Sequence, residues 1–133
     1  MSSDNVFQIL DVNLNRAREG IRVIEDTLRL VLKNKKLYQR LRSLRHELDV
    51  ISRKLYGSLI TSRSSEKDLG RKSPAIRFRS IDDMVRANFR RAQEALRVLE
   101  EYSRFINVLL TPRFQKIRFT LYQLEKSVHV RKM

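Results

Sequence analysis

The sequence contains no cysteine and no tryptophan, only three glycines and two prolines, and no apolar run near the length of a membrane span. Each shortage removes a class of protein. Without Cys there is neither a disulfide framework nor a thiolate metal site, which suits a reducing cytoplasm. Many-stranded β architectures need frequent turns, and Gly or Pro occurs only at Gly20, Gly57, Gly70, Pro74 and Pro112, so an all-β fold is excluded. A membrane helix needs about 18 to 20 apolar residues, and the opening MSSDNVFQILDVN is polar and acidic where a signal peptide is basic and then apolar. These features predict a soluble cytoplasmic protein without a membrane partner. Neither GxxxxGK nor GxGxxG occurs, which removes a Walker cradle and a dinucleotide fingerprint. The two histidines, His46 and His129, are far apart and form no HExxH, so a histidine metal site is not expected and His46 reads as a surface or capping residue.

What remains is 133 residues, 41% of them hydrophobic, enough for one modest core and for no second catalytic domain. Residues 13–29, NLNRAREGIRVIEDTLR, align without gaps on residues 88–104, NFRRAQEALRVLEEYSR, with eight of 17 positions identical. Unrelated segments share about one, so the chain holds an internal repeat. After a one-residue shift the similarity continues more weakly, from Tyr38 on Phe114. The repeated unit is a helical hairpin.

Local signals place four helices. The first is predicted from about Asp4 to Lys33, with Ser2 or Ser3 as N-cap and Leu10, Ala17, Ile21, Ile24, Leu28 and Val31 at helical spacing. The second carries Leu37, Leu41, Leu44, Leu48, Ile51 and Leu55, alternating four and three as in a coiled-coil seam. Ser80 begins the third in a capping box with Asp83, and its inner stripe reads Ala87, Ala92, Leu96, Leu99 and Ile106. Thr111 is the expected cap of the fourth, with Pro112 in the first turn and Phe114, Ile117, Leu121, Leu124 and Val128 inward. The expected fold is all-α, an antiparallel four-helix bundle made of one domain: hairpin one at about 4–56, a long crossing loop at 57–79, and hairpin two at 80–128. A connection of that length is either a functional loop or a mobile linker.

The formal charge of +14 first suggests a polyanion as partner. Its distribution narrows that suggestion. The repeat windows are each close to neutral, whereas residues 53–79 carry a net +6 and residues 113–132 a net +5. A localised basic loop favours a small phosphate over a chain-wide nucleic-acid face. Asn, Arg, Glu, Arg and Glu recur every third residue in both copies, as Asn13, Arg16, Glu19, Arg22 and Glu25 and as Asn88, Arg91, Glu94, Arg97 and Glu100. Their spacing permits intrahelical ion pairs such as Arg16/Glu19, Glu19/Arg22 and Glu25/Arg29. Exposed pairs contribute only about 0.3–0.5 kcal/mol, yet the series persists where apolar neighbours have drifted. A shared polar site between the first and third helices and a structural ion-pair lattice are both open at this stage.

Five segments, ILDVNLNRAREGIRVIED, LRHELDVISRKL, DLG, VRANFRRAQEALRVLEEY and LYQLEK, run in order from about Phe7 to Val128. Together they resemble the helical domain that precedes the thiamin-phosphate synthase barrel in cyanobacterial and some other bacterial proteins. The resemblance implies a role in thiamin biosynthesis as a hydroxymethylpyrimidine-phosphate kinase, using ATP and Mg²⁺ on a small phosphorylated pyrimidine. On that reading Asp68, Glu19 and Glu94 are the candidate catalytic or metal-binding carboxylates. Asn13, Arg16, Arg22, Asn88, Arg91, Arg97, Arg63, Gly70 and Arg71 are the candidate substrate and phosphate contacts. The family loop usually reads Arg, four residues, Asp-Val-Gly-Thr; Arg63, Asp68, Leu69 and Gly70 follow it, and Arg71 stands where Thr is expected. Helices of this number and length do not supply the synthase barrel. The alternatives are a non-catalytic partner that docks on a thiamin-phosphate synthase through the exposed face of the first helix, or a basic nucleic-acid-binding protein; a homodimer is compatible with each.

Overall fold

In the computed structural model, which describes residues 2–64, 67–70 and 75–132, four long helices account for most of the described residues. They are α1 (Ser3–Leu30), α2 (Lys35–Ser62), α3 (Ile81–Tyr102) and α4 (Thr111–Lys132), with two short 3₁₀ turns, Ser103–Phe105 and Val108–Leu110, between the last pair. Among the described residues there is no strand, and no helix is long and apolar enough to cross a membrane. The fold is the all-α four-helix bundle expected from the pattern.

The helix ends show where local chemistry decides. Ser2 caps α1, its hydroxyl accepting from the Asn5 amide at 3.3 Å. The helix stops at Leu30, three residues before the expected Lys33, because Lys33 turns into the left-handed region at φ 55° and the Asn34 amide closes back on the Leu28 carbonyl at 2.8 Å. Asn34 then caps α2 through the Leu37 amide at 3.1 Å. At the other end α2 runs through Gly57 to Ser62, past the expected boundary at 56. A mid-helix glycine costs about 1 kcal/mol, whereas burying a leucine contributes about 1.5–3 kcal/mol, and the extension buries Leu59. Ser80 caps α3 as expected, accepting from the Asp83 amide at 3.1 Å, while the Asp83 carboxylate takes Arg86 at 2.7 Å. Thr111 does not act as a cap. It has helical dihedrals, and its hydroxyl meets Ser103 Oγ at 2.8 Å and the Glu100 carbonyl at 3.5 Å, tying α4 to the end of α3.

Leu10, Leu14, Ala17, Ile21, Ile24 and Leu28 of α1 are buried, as are Leu41, Leu48 and Ile51 of α2. In α3 the inner stripe is Val85, Phe89, Ala92, Leu96 and Leu99; Phe89 fills the place of Leu14 and is fully buried, whereas the expected Ala87 is only half-buried and Ile106 lies beyond the helix. The buried ladder of the second hairpin, Leu110, Phe114, Ile117, Leu121, Leu124 and Val128, repeats the four-three spacing of Leu37 to Leu55. The spacing therefore equates Leu41 with Phe114, three residues away from the weak match of Tyr38 on Phe114.

Packing places α1 and α3 at the centre, with α2 against α1, α4 against α3, and only sparse contact between α2 and α4. The α1–α2 turn lies beside the end of α4, where Leu28, Leu32 and Leu37 share a recess with Val128. The centre of the bundle is the α1–α3 crossing. At Gly20 an added Cβ would stand 3.0 Å from the Asn88 carbonyl oxygen and 3.6 Å from Ala92 Cβ. Small residues, Ala17, Gly20, Ala92 and Ala95, permit that approach.

Candidate functional site

Over this crossing a cleft of about 510 Å³ opens between α1 and α3, lined by Asn13, Arg16, Glu19, Gly20 and Val23 from one helix and Asn88, Arg91, Glu94, Ala95 and Val98 from the other. The two sets are the same positions of the repeat, and each occupies successive turns along one stripe of its helix. Six of the sequence-nominated residues are thus brought together: Asn13, Arg16, Glu19, Asn88, Arg91 and Glu94.

The asparagines are the buried members. Asn13 Nδ2 donates to the Ile9 carbonyl at 2.9 Å and Asn88 Nδ2 to the Met84 carbonyl at 2.8 Å. Each carboxamide is therefore held by its own helix, and among the described residues no donor meets either Oδ1. The charged members are exposed at the cleft, and among the described residues none of Arg16, Glu19, Arg91 and Glu94 stands within ion-pair distance of an opposite charge. The expected intrahelical pairs Arg16/Glu19, Glu19/Arg22 and Glu25/Arg29 do not form.

The rest of the polar series lies away from the cleft. Glu25 and Glu100, both about 2% exposed or less, reach sideways into their own hairpins. Arg45 of α2 holds Glu25 with two bonds of 2.5 and 3.1 Å. Arg118 of α4 holds Glu100 in the same way, its Nη2 at 3.0 Å from Oε1 and its Nε also bonded. Hydrogen bonding to these carboxylates pushes both guanidinium groups above their ordinary range, against the opposing effect of burial. Arg22 and Arg97 stand on the outer surface, more than half exposed, beside Asp26 at 3.9 Å and Glu101 at 3.1 Å. They do not line the cleft.

A second recess of about 790 Å³ adjoins the first and shares Asn13 and Arg16 with it. Its other wall is the start of the crossing segment: Arg63, Ser64, Lys67 and Asp68, facing Gln8, Asp11 and Asn15. Arg63, nominated as a phosphate clamp, lines this recess and is engaged by Asp11, with Nε 2.8 Å and Nη2 3.1 Å from the two carboxylate oxygens. That bond raises the guanidinium pKa and fastens the segment to α1. Asp68 accepts from the Gly70 amide at 2.8 Å, a local turn that orients the carboxylate. Arg71 lies outside the described residues.

Sequence reasoning does not nominate Asp11, Lys67 or Ser64. Asp11 could have been found as an acid next to Leu10 on the inward face of an amphipathic helix, where a carboxylate requires a cationic partner. Among the described residues no three acidic or histidine side chains gather as a ready-made metal site. Glu19 and Glu94 share the α1–α3 cleft, and Asp68 lines the adjoining recess.

The sequence pattern of the ThiD2 family matches residues 8–127. Among curated proteins, a thiamine-phosphate synthase of Prochlorococcus marinus is 42% identical over 91% of this chain and 35% of its own length. Thiamine-phosphate synthase of Synechococcus sp. (strain CC9605) is 45% identical over 90% of this chain and 34% of its own. The Nostoc punctiforme protein of that name is 38% identical over 92% and 35%. The chain thus spans about a third of the length of these relatives. No solved structure matches it significantly. With the match extending from the first turns of α1 almost to the end of α4, the chain belongs to the ThiD2 family.

Proposed function

We propose that the α1–α3 cleft binds a phosphorylated pyrimidine of thiamin biosynthesis and phosphorylates it with ATP, as a hydroxymethylpyrimidine-phosphate kinase. The observation that carries this reading is the pair of Asn-Arg-Glu sets, one per repeat, that line one cleft with their charges unpaired among the described residues. A lattice built for stability would pair these groups, as it pairs Glu25 and Glu100. The names of the relatives direct the choice of substrate toward thiamin precursors.

The chemistry suits this donor set. An oxygen of the acceptor's phosphate attacks the γ-phosphorus of ATP, the new P–O bond forms, and the bond to the bridging oxygen breaks with its electron pair leaving on ADP. A phosphate monoester has its second pKa at about 6, so the attacking oxygen is already charged at neutral pH and requires no side-chain base. Positioning and charge stabilisation are what the protein must supply. Arg16 and Arg91, at equivalent positions on the two helices, offer one guanidinium to each of the two phosphoryl groups being joined. The open Oδ1 atoms of Asn13 and Asn88 are suited to accept from the amine of an aminopyrimidine. Glu19 and Glu94 fit Mg²⁺, because this ion takes one or two carboxylates together with the phosphates of a nucleotide. When bound there, the ion would neutralise charge on the β- and γ-phosphate oxygens. Lys67 and Asp68 close the Arg16 side, on a segment held in place by Arg63 and Asp11.

Incubation of the purified chain with ATP, Mg²⁺ and hydroxymethylpyrimidine phosphate, followed by ³¹P NMR, tests the reading. A new diphosphate ester and stoichiometric ADP are expected; no turnover together with no heat of binding for the pyrimidine phosphate overturns it.

A further inference from the structure

The two sides of the α1–α3 cleft are copies, yet a kinase holds two different substrates, so some feature has to distinguish one side from the other. The crossing segment does so. After Arg63 pairs with Asp11 the chain turns, the Lys67 amide donating to the Ser64 carbonyl at 3.0 Å and the Gly70 amide to Asp68 at 2.8 Å. That course sets Ser64, Lys67 and Asp68 against Asn13 and Arg16 in the recess of about 790 Å³. On the Arg91 side the described residues that line the cleft come from α1 and α3 alone. The position there equivalent to Asp11 is Arg86, which meets Asp83 at 2.7 Å and offers no carboxylate to an anchoring arginine. Lys67 therefore lines the recess and not the cleft, Arg91 and Asn88 line the cleft and not the recess, and Arg16 lines both.

On the kinase reading, which this inference presupposes, we infer that the recess beside Lys67 holds the triphosphate of the nucleotide, while the pyrimidine phosphate lies in the cleft on the Arg91 side. The recess is the larger of the two spaces, about 790 against 510 Å³, and the nucleotide is the larger ligand. Charge points the same way. The recess sets Arg16, Arg63 and Lys67 against Asp11 and Asp68 and is net positive, whereas the cleft sets Arg16 and Arg91 against Glu19 and Glu94 and is balanced. A triphosphate carries more negative charge than a monoester, so it gains more from the added cation. Among the described residues no carboxylate stands within ion-pair distance of Lys67, and a lysine ammonium binds phosphate as a compact point charge. Asn88, with its open Oδ1, lies on the cleft side, where the ring amine of the pyrimidine needs an acceptor. The two ligands then meet at Arg16, which places the γ-phosphoryl group and the acceptor oxygen beside one guanidinium.

Calorimetric titrations of a non-hydrolysable ATP analogue with Mg²⁺ and, separately, of hydroxymethylpyrimidine phosphate into the whole chain and its variants test the assignment. Lys67→Ala, at an exposed position, should weaken the analogue about tenfold, the loss of a charge-assisted contact, and change pyrimidine-phosphate affinity by less than about twofold. Arg91→Ala should do the reverse, and Arg16→Ala should weaken both ligands. Lys67→Arg, which keeps the charge, should retain most of the affinity for the analogue, and circular dichroism should match the parent in every variant. A reversed pattern, equal losses of both ligands in Lys67→Ala and Arg91→Ala, or analogue binding indifferent to Lys67→Ala overturns the assignment. So does a parent chain that binds the pyrimidine phosphate and not the analogue. Each of these results leaves the pyrimidine site of the cleft standing, whereas a parent that neither binds the pyrimidine phosphate nor turns it over overturns the kinase reading and the assignment with it.

Discussion

Replacing Gly20 with alanine tests the close approach on which the cleft is built. The added Cβ would sit 3.0 Å from the Asn88 carbonyl oxygen, a backbone atom that moves only if α3 moves. Two opposing effects follow. Alanine is favoured over glycine in a helix interior by about 0.5–1 kcal/mol, while overpacking a tight contact costs about 1–3 kcal/mol. The expected net result lies between no change and a destabilisation of about 2.5 kcal/mol. Gly57 supplies the control. It too lies inside a helix, but an added Cβ there meets nothing within 4 Å, so Gly57→Ala should stabilise by the full helical preference. Urea unfolding followed by circular dichroism measures both, with a shift of about half a molar for each kcal/mol. The Gly57 variant should move to higher urea and the Gly20 variant should not. If Gly20→Ala stabilises as much as Gly57→Ala does, the helices do not approach as described and the cleft floor is wrong.

Glu100→Ala should destabilise the chain by about 3–5 kcal/mol in the same assay, because Arg118, only 13% exposed, would be left without its counter-charge. Asp11→Asn releases Arg63, and limited trypsin digestion should then cut after Arg63 and Lys67 faster than in the parent, with far-UV circular dichroism unchanged; equal cleavage rates would show that the pair does not hold the segment. Arg22→Ala and Arg97→Ala, both at the outer surface, should change stability by no more than about 0.5 kcal/mol and leave pyrimidine-phosphate binding intact.

The four helices, the duplicated hairpin and both buried ladders are legible in the sequence because they depend on local periodicity. Other features depend on how that periodicity meets tertiary contacts. Gly57 resembles a breaker, yet Leu59 continues the ladder past it and burial outweighs the glycine. Phe89 aligns with Leu14 in the repeat but falls outside a stripe drawn from Ala87, so the repeat is the better guide to the core. Spacing alone does not divide the polar series. Glu25 and Glu100 turn inward because Arg45 and Arg118 wait on the neighbouring helices, and those arginines are equivalent only in the register that the buried ladder sets. The Asp11 that engages Arg63 lies 52 residues earlier in the chain, so no local pattern announces the pair. What remains at the cleft is the smaller charged set, Arg16, Glu19, Arg91 and Glu94, for which no opposite charge stands within ion-pair distance among the described residues.

Calorimetric titration of hydroxymethylpyrimidine phosphate into the parent chain and into Arg16→Ala, Arg91→Ala and Arg22→Ala variants bears most directly on that set. The cleft reading predicts a single binding isotherm for the parent and for Arg22→Ala, with affinity reduced about tenfold or more in each of the other two, the loss expected for a charge-assisted contact. Equal binding in all four proteins, or a loss confined to Arg22→Ala, would contradict it.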